Sequence, residues 1–413
     1  MESWDFSQLS TFNSKLMKKV ISFSLMLMVG LVLSQMLPSQ LGEYYKLFHE
    51  GVEIVLGICL AFIMINVGRE FEIDKRNVKG YAKDYFVAMF AAAVPWLLIA
   101  LYYIFVLLPS YMWGSGEVWK ETLLLSRYAA PTSAGILFAM LAALSLQKSW
   151  IYQKIQVLAI FDDLDTILLM IPLQIAMIGM KWQMGAVLFV VCLLLWIGWR
   201  YMSRFDVPQG WKSILTYAVL TYGLTLAIYV VTDHFFGAEG SIHIEVLLPA
   251  FVAGMIIKNR HVEGKQEERV STAISLLFML FVGMSMPLIN ANDAGVDKSS
   301  IIGSIPMMSW GELALHVVMV SLLSNIGKLV PMFFYRDHSL TERLALSVGM
   351  FTRGEVGAGV IFIALGYNIG GPILLISVLT LVLNLILTIG FVYIVKRLAL
   401  KAERDNSVQK KIA

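Results

Sequence analysis

Charge is what this chain has least of. Asp, Glu, Lys and Arg together make up 15% of its 413 residues, against about 25% in an ordinary soluble domain. Cysteine is nearly absent. Cys59 and Cys192 each sit inside an apolar run, which excludes a disulfide framework and a cysteine metal site. The histidines (His49, His234, His243, His261, His316 and His338) are scattered, and none accompanies an acidic cluster. That leaves no nucleophile–base set and no metal centre for an intramembrane enzyme. No enzyme activity, no cofactor and no nucleic-acid partner are expected.

Apolar length is what the chain has in quantity. Hydrophobic residues make up 58% of it, much of this in runs near twenty residues, and a bilayer core takes about 20 such residues per helix. Reading the runs between charged or Gly/Pro-rich breaks predicts twelve spans: 18–37, 51–68, 84–108, 122–146, 151–178, 183–203, 211–232, 242–257, 270–289, 308–335, 342–366 and 371–395. The predicted fold class is an all-α membrane protein of about 12 transmembrane helices, every backbone polar group being satisfied within its own helix. The first run, KKVISFSLMLMVGLVLSQML, begins like a secretory signal. Mostly polar residues precede Lys15, however, and no A-x-A site follows, so the run is read as a retained span.

Cations in the loops check this count. With a cytoplasmic N-terminus, the inner loops hold Lys15, Lys18 and Lys19, then Arg69 to Lys83, then Lys148 and Lys154, then Arg200, Arg204 and Lys212. They go on with Lys258 to Arg269, Arg336 and Arg343, and the tail from Lys396. The outer loops hold only Lys46, Lys120, Lys181 and Lys298. This is the positive-inside bias, and an error of one span in mid-chain would scramble it. Residues 1–17 are therefore expected as a cytoplasmic segment, 18–395 as the membrane domain, and 396–413 as a short basic cytoplasmic tail. Trp113, Trp119, Trp150, Trp182, Trp211 and Trp310 fall near span ends, where an interfacial belt would place them.

Within the spans few ionisable residues remain. AIFDDLDTILLMIP puts Asp162, Asp163 and Asp165 in the middle of the fifth. Each central Asp costs roughly 2.5–3.5 kcal/mol to insert, and such acids by default mark ion or proton pathways. Lys328 lies in the tenth span, with Asn325 one turn before it, and Arg353 and Glu355 lie in the eleventh. At 1.5 Å per residue, Asp162 and Arg353 both lie about 16 Å from the inner ends of their spans, near the midplane. Successive helical residues turn 100°, so Asp162 and Asp165 share a side within about 60°, while Asp163 points about 160° from Asp165. This geometry assigns Asp163 to an aqueous cavity. Depth makes Asp165 a partner of Arg353 or Lys328. Arg353 and Glu355, taken alone, are equally well read as a packing pair.

Two spans are interrupted. The fourth reads LLLSRYAAPTSAGILFAM, where Pro131 removes a backbone donor and Thr132, Ser133 and Gly135 propagate a helix poorly. The eleventh reads VGMFTRGEVGAGVIF, with Gly354, Gly357 and Gly359. Each break alone only eases packing. Broken helices at corresponding places in two halves, one span before the acids and one after the lysine, point to a transporter's ion site.

These segments resemble the monovalent cation/proton antiporter superfamily, in particular bacterial sodium/proton antiporters with an Asp–Asp motif. The resemblance rests on GICLAFIMINVGREFEID, APTSAG, LAIFDDLDTI, LLPAFVAGMIIKN, LLFMLFVGMSM, NIGKLVPMFF and LALSVGMFTRGEVGAGVIF, in that order over nearly the whole chain. It implies two inverted repeats whose unwound helices, the fourth and eleventh, cross beside a dimerisation domain, with core helices at about 84–178 and 308–395. By position, Asp163 matches the acid that binds the monovalent cation or the proton. Asp162 matches the neighbouring acid paired with a base, here Lys328. Thr132 and Ser133 match the unwound segment near the ion. Lys328, Arg353, Glu355 and Asp165 are then charge-compensating. Asp165 departs from the usual pattern, which has a small or apolar residue at that place.

The resemblance further implies exchange of Na+ (or Li+) for H+ by alternating access, in a homodimer, serving pH homeostasis. The place implied is the bacterial inner membrane, with both termini cytoplasmic. K+/H+ exchange and a gated cation channel are the alternatives.

Overall fold

A computed structural model of the chain describes residues 6–70, 78–132, 150–178, 183–236, 246–258, 264–285 and 300–412. Among these residues there are thirteen α-helices and no strand, only an isolated parallel bridge between Phe205 and Ile257. The chain divides into two compact units: residues 1–28, 79–166 and 286–413, and residues 29–78 and 167–285.

The first unit takes in the start of α1 (Phe6–Leu41) and most of α3 (Val78–Tyr102), which a π-turn at Tyr103–Leu107 prolongs. Then come α4 (Gly116–Ser126), a 3-10 turn at Arg127–Ala129, and α5 (Trp150–Ile178) as far as Thr166. The C-terminal part brings α10 (Trp310–Gly327), α11 (Leu340–Gly349), α12 (Glu355–Gly366) and α13 (Gly371–Ile412). α10 and α11 both start with a capping box. Ser309 with Glu312, and Ser339 with Glu342, bond reciprocally to each other's backbone N–H and so satisfy donors that a helix start leaves open. α13 packs on α10, α11 and α12.

The second unit is built around α2 (Tyr45–Glu70). Against it pack α7 (Trp211–Phe236), α8 (Leu247–Ile256) and α9 (Lys265–Met284), while α6 (Gln183–Tyr201) lies on α8. Gly68 of α2 and Gly254 of α8 face each other so closely that a Cβ on either would strike the other helix's backbone. Small residues are how membrane helices come this near. Along α7 the side chains of Val219, Leu220, Leu224, Val230 and Val231 are exposed, as suits a lipid-facing surface.

Every predicted span overlaps a described helix, the fourth only at the end of α4. Tyr81–Leu107, Trp211–Thr232, Trp310–Phe333 and Gly371–Thr388 are each long and apolar enough to cross a membrane, as is the helical stretch Ile21–Arg69. The differences lie at ends and breaks. α1 starts at Phe6 and α13 runs to Ile412, so both flanking segments continue their helices. No Gly or Pro occurs before Gly30 or after Gly390 to stop them. The eleventh span is two helices, α11 and α12, separated by Met350–Gly354. The inner part of the fourth, from Ser133 to 149, lies outside the described residues.

The two breaks meet. α12 packs on the Arg127–Ala129 turn, and a Cβ added at Gly357 would lie 2.8 Å from the Tyr128 carbonyl oxygen. Only glycine permits that approach. Gly357→Ala is expected to force the two backbones apart and lower stability by about 1–3 kcal/mol. A thermal-denaturation midpoint equal to wild type would contradict this.

Candidate functional site

α5 carries the acids into the first unit, and all three are buried: Asp162 and Asp163 completely, Asp165 with 2% of its surface exposed. A bare charge in such surroundings is costly unless it is paired and hydrogen-bonded.

Asp162 is served by both neighbours. Its Oδ2 lies 2.6 Å from the Lys328 ammonium and accepts from the Thr132 hydroxyl at 2.7 Å. Lys328 also donates to the Thr132 oxygen at 3.2 Å, closing a three-membered cluster in which no side chain reaches the surface. Thr132 lies in the fourth-span break. Its hydroxyl is also 3.1 Å from the Met350 carbonyl, in the other break. Lys328 caps the C-terminus of α10, where the helix dipole favours a cation. The second oxygen of Asp162, Oδ1, makes no hydrogen bond among the described residues.

Asp163 follows on the next position of α5, wholly enclosed. Ser133 lies outside the described residues. Glu355 opens α12, but its side chain is not among those described.

Asp165 is placed differently from the sequence expectation. Its partner is Arg127, at 3.1 Å, and not Arg353 or Lys328. Matching depths selected the wrong base, because depth carries no information about azimuth. Arg127 belongs to the turn after α4, which faces α5 directly. Arg353 is spent on backbone. Its guanidinium donates to the carbonyls of Met350 at 3.0 Å, Thr352 at 3.4 Å and Ser324 at 3.4 Å. It thus serves oxygens that an interrupted helix leaves without partners. Among the described residues, no three His, Cys, Asp or Glu side chains converge on one point, so the three acids of FDDLD do not form a single cage.

Two groups escape a reading of the sequence. Arg127 is the only charged residue between Glu121 and Lys148, which was signal enough to single it out. Asn384 of α13 is the other. Its Oδ1 accepts from Ser321 at 3.0 Å and from Asn325 at 2.9 Å. One Asn in a long apolar helix leaves no pattern by which to find it.

Breaks that meet beside buried acids point to a secondary ion transporter. The family described as sodium/hydrogen exchanger, transmembrane, matches residues 9–397, and the chain belongs to it. It is an integral membrane protein of the cation/proton antiporters, with a cation and protons as its substrates. No curated protein matches the chain. Among solved structures it is similar to the sodium proton antiporter MjNhaP1 from Methanocaldococcus jannaschii at pH 8. The TM-score is 0.59 at 16% identity, over 96% of this chain and 99% of that one. An electron-microscopy structure of the same antiporter gives 0.52 at 16% identity, over 90% of each chain. Such identities speak for the fold alone.

Proposed function

We propose that this chain exchanges Na+, or Li+, for H+ by alternating access, with Asp163 as the group that holds either ion. The observation that carries this reading is a pair of adjacent, fully buried acids beside a buried lysine and the two meeting breaks. Asp162 is neutralised in place by Lys328 and Thr132 at 2.6 and 2.7 Å. Its role is then structural and electrostatic, and the exchangeable charge is given to Asp163, the acid that the family resemblance matches by position to the ion carrier. A single carboxylate cannot hold a proton and a cation together. Loading is exclusive, and exclusive loading is what couples the two flows.

Thr132, and Ser133 beside it, supply oxygens at the break, where carbonyls freed from helical bonding can help to dehydrate a small cation. The region around 84–178 and 308–395 acts as the ion-carrying core, moving within a homodimer. The inner loops carry nearly all the cations, which supports both termini, including the 396–413 tail, in the cytoplasm. The bacterial inner membrane is the place that the family resemblance implies.

The test is proton flux in everted vesicles, followed with a pH-sensitive dye on addition of Na+, Li+ or K+. Na+ and Li+ are expected to release the proton gradient and K+ to leave it nearly unchanged. Release by K+ alone would make the chain a potassium/proton exchanger. Cation flux without proton counter-flow would make it a channel.

A further inference from the structure

We propose that Arg127 and Asp165 form a positioning pair that holds the broken fourth span in register with the ion site. The proposal rests on the exchange reading above for where that site is, and on geometry for everything else. The described part of the fourth-span break runs from Arg127 to Thr132, and both ends of that stretch are bonded to α5. Thr132 donates to Asp162 at 2.7 Å. Arg127 Nη2 donates twice, to the Asp165 carbonyl oxygen at 2.8 Å and to the Asp165 carboxylate at 3.1 Å. Asp162 and Asp165 are three residues apart, a rise of about 4.5 Å. Asp163 lies between the two attachment points.

Arg127 is itself held rigidly. Its guanidinium carbon lies 4.6 Å from the centre of the Trp96 ring, and Trp96 Nε1 donates to the Leu123 carbonyl at 2.8 Å, one turn back on α4. The side chain is fully buried, and its Nε and Nη1 make no hydrogen bond among the described residues. A guanidinium keeps its proton at any working pH and presents its donors in a fixed fork. Double engagement of one α5 residue, backbone and side chain, therefore sets both the height and the rotation of the break against α5. A lysine could supply the charge but not the two N–H bonds of Nη2 fixed in one plane, and a glutamine could supply a donor but not the charge. The pair thus acts on the cation through the position of Thr132 and of the break's carbonyls, and it exchanges no ion of its own.

The test compares the full-length chain reconstituted in vesicles with the double variant Arg127→Gln/Asp165→Asn and with Arg127→Lys. The double variant removes both charges at once and leaves no ion unpaired, so it is the one expected to fold. Its KM for the cation is expected to rise about 10-fold, as when the outer partners of a metal ligand are removed. Maximal rate and the number of protons exchanged per cation are expected to stay as in wild type. Arg127→Lys should fall between the two. An unchanged KM in a folded double variant would reduce the pair to mere packing, and the proposal would be lost. A changed proton count would make Asp165 a proton carrier, which also overturns it. If the double variant does not fold, an unchanged KM in Arg127→Lys overturns the proposal by itself. Calorimetric Na+ binding to the purified chain gives the same comparison without transport. Intact binding with no wild-type exchange would end the exchange reading and leave this one standing.

Discussion

Asp163→Asn is expected to reduce cation-driven proton flux to the level of empty vesicles while the protein still folds and inserts. An amide has nearly the size and the hydrogen-bonding capacity of a protonated carboxyl. A fully buried Asp163 is therefore replaced with little change in packing. What disappears is the ability to alternate between a proton and a cation. The replacement keeps size and hydrogen-bonding capacity, so the protein is expected to stay folded and inserted while its activity is lost. A purified, monodisperse Asp163→Asn protein with wild-type flux would remove Asp163 from the centre of the exchange reading.

Lys328→Gln should have the opposite signature. The ammonium lies 2.6 Å from Asp162 Oδ2, with neither side chain exposed. Taking away one partner leaves a carboxylate buried with only Thr132 to serve it, a loss of about 3–5 kcal/mol for pairs of this kind. Asp162→Asn alone strands the ammonium and should cost a comparable amount. Asp162→Asn/Lys328→Gln leaves no charge unpaired and should recover much of the loss. Denaturation midpoints of the four proteins in one detergent give the coupling between the two residues. Strictly additive effects would mean that the pair does not act as a unit.

The spans could be read in the sequence because the bilayer admits so few solutions: an apolar run of the right length becomes a helix. The breaks were legible too, at Pro131 and at the glycines around Arg353, since few residues disrupt a helix so plainly. Which base meets which acid was only partly legible. Lys328 is matched to Asp162 by the family resemblance, and it lies in a helix that is regular up to its own C-cap. Arg127 and Arg353 lie at breaks, where the backbone leaves the helical screw and side-chain direction no longer follows from residue number. That is where Asp165 was assigned the wrong base. That α1 and α13 run on past the apolar runs could not be read from hydropathy, which follows apolar composition and not hydrogen bonding.

The way Arg353 is used bears on what happens between turnovers. In a soluble protein, water would cover the carbonyls of a broken helix and would come and go. Here the guanidinium that meets Met350, Thr352 and Ser324 is solvent tethered to the chain. It needs no exchange with bulk water and cannot be stripped when the site faces lipid or stands empty. On the proposed exchange reading, the interrupted eleventh span then keeps its shape in the unloaded carrier, and a returning ion finds a site that does not have to be rebuilt.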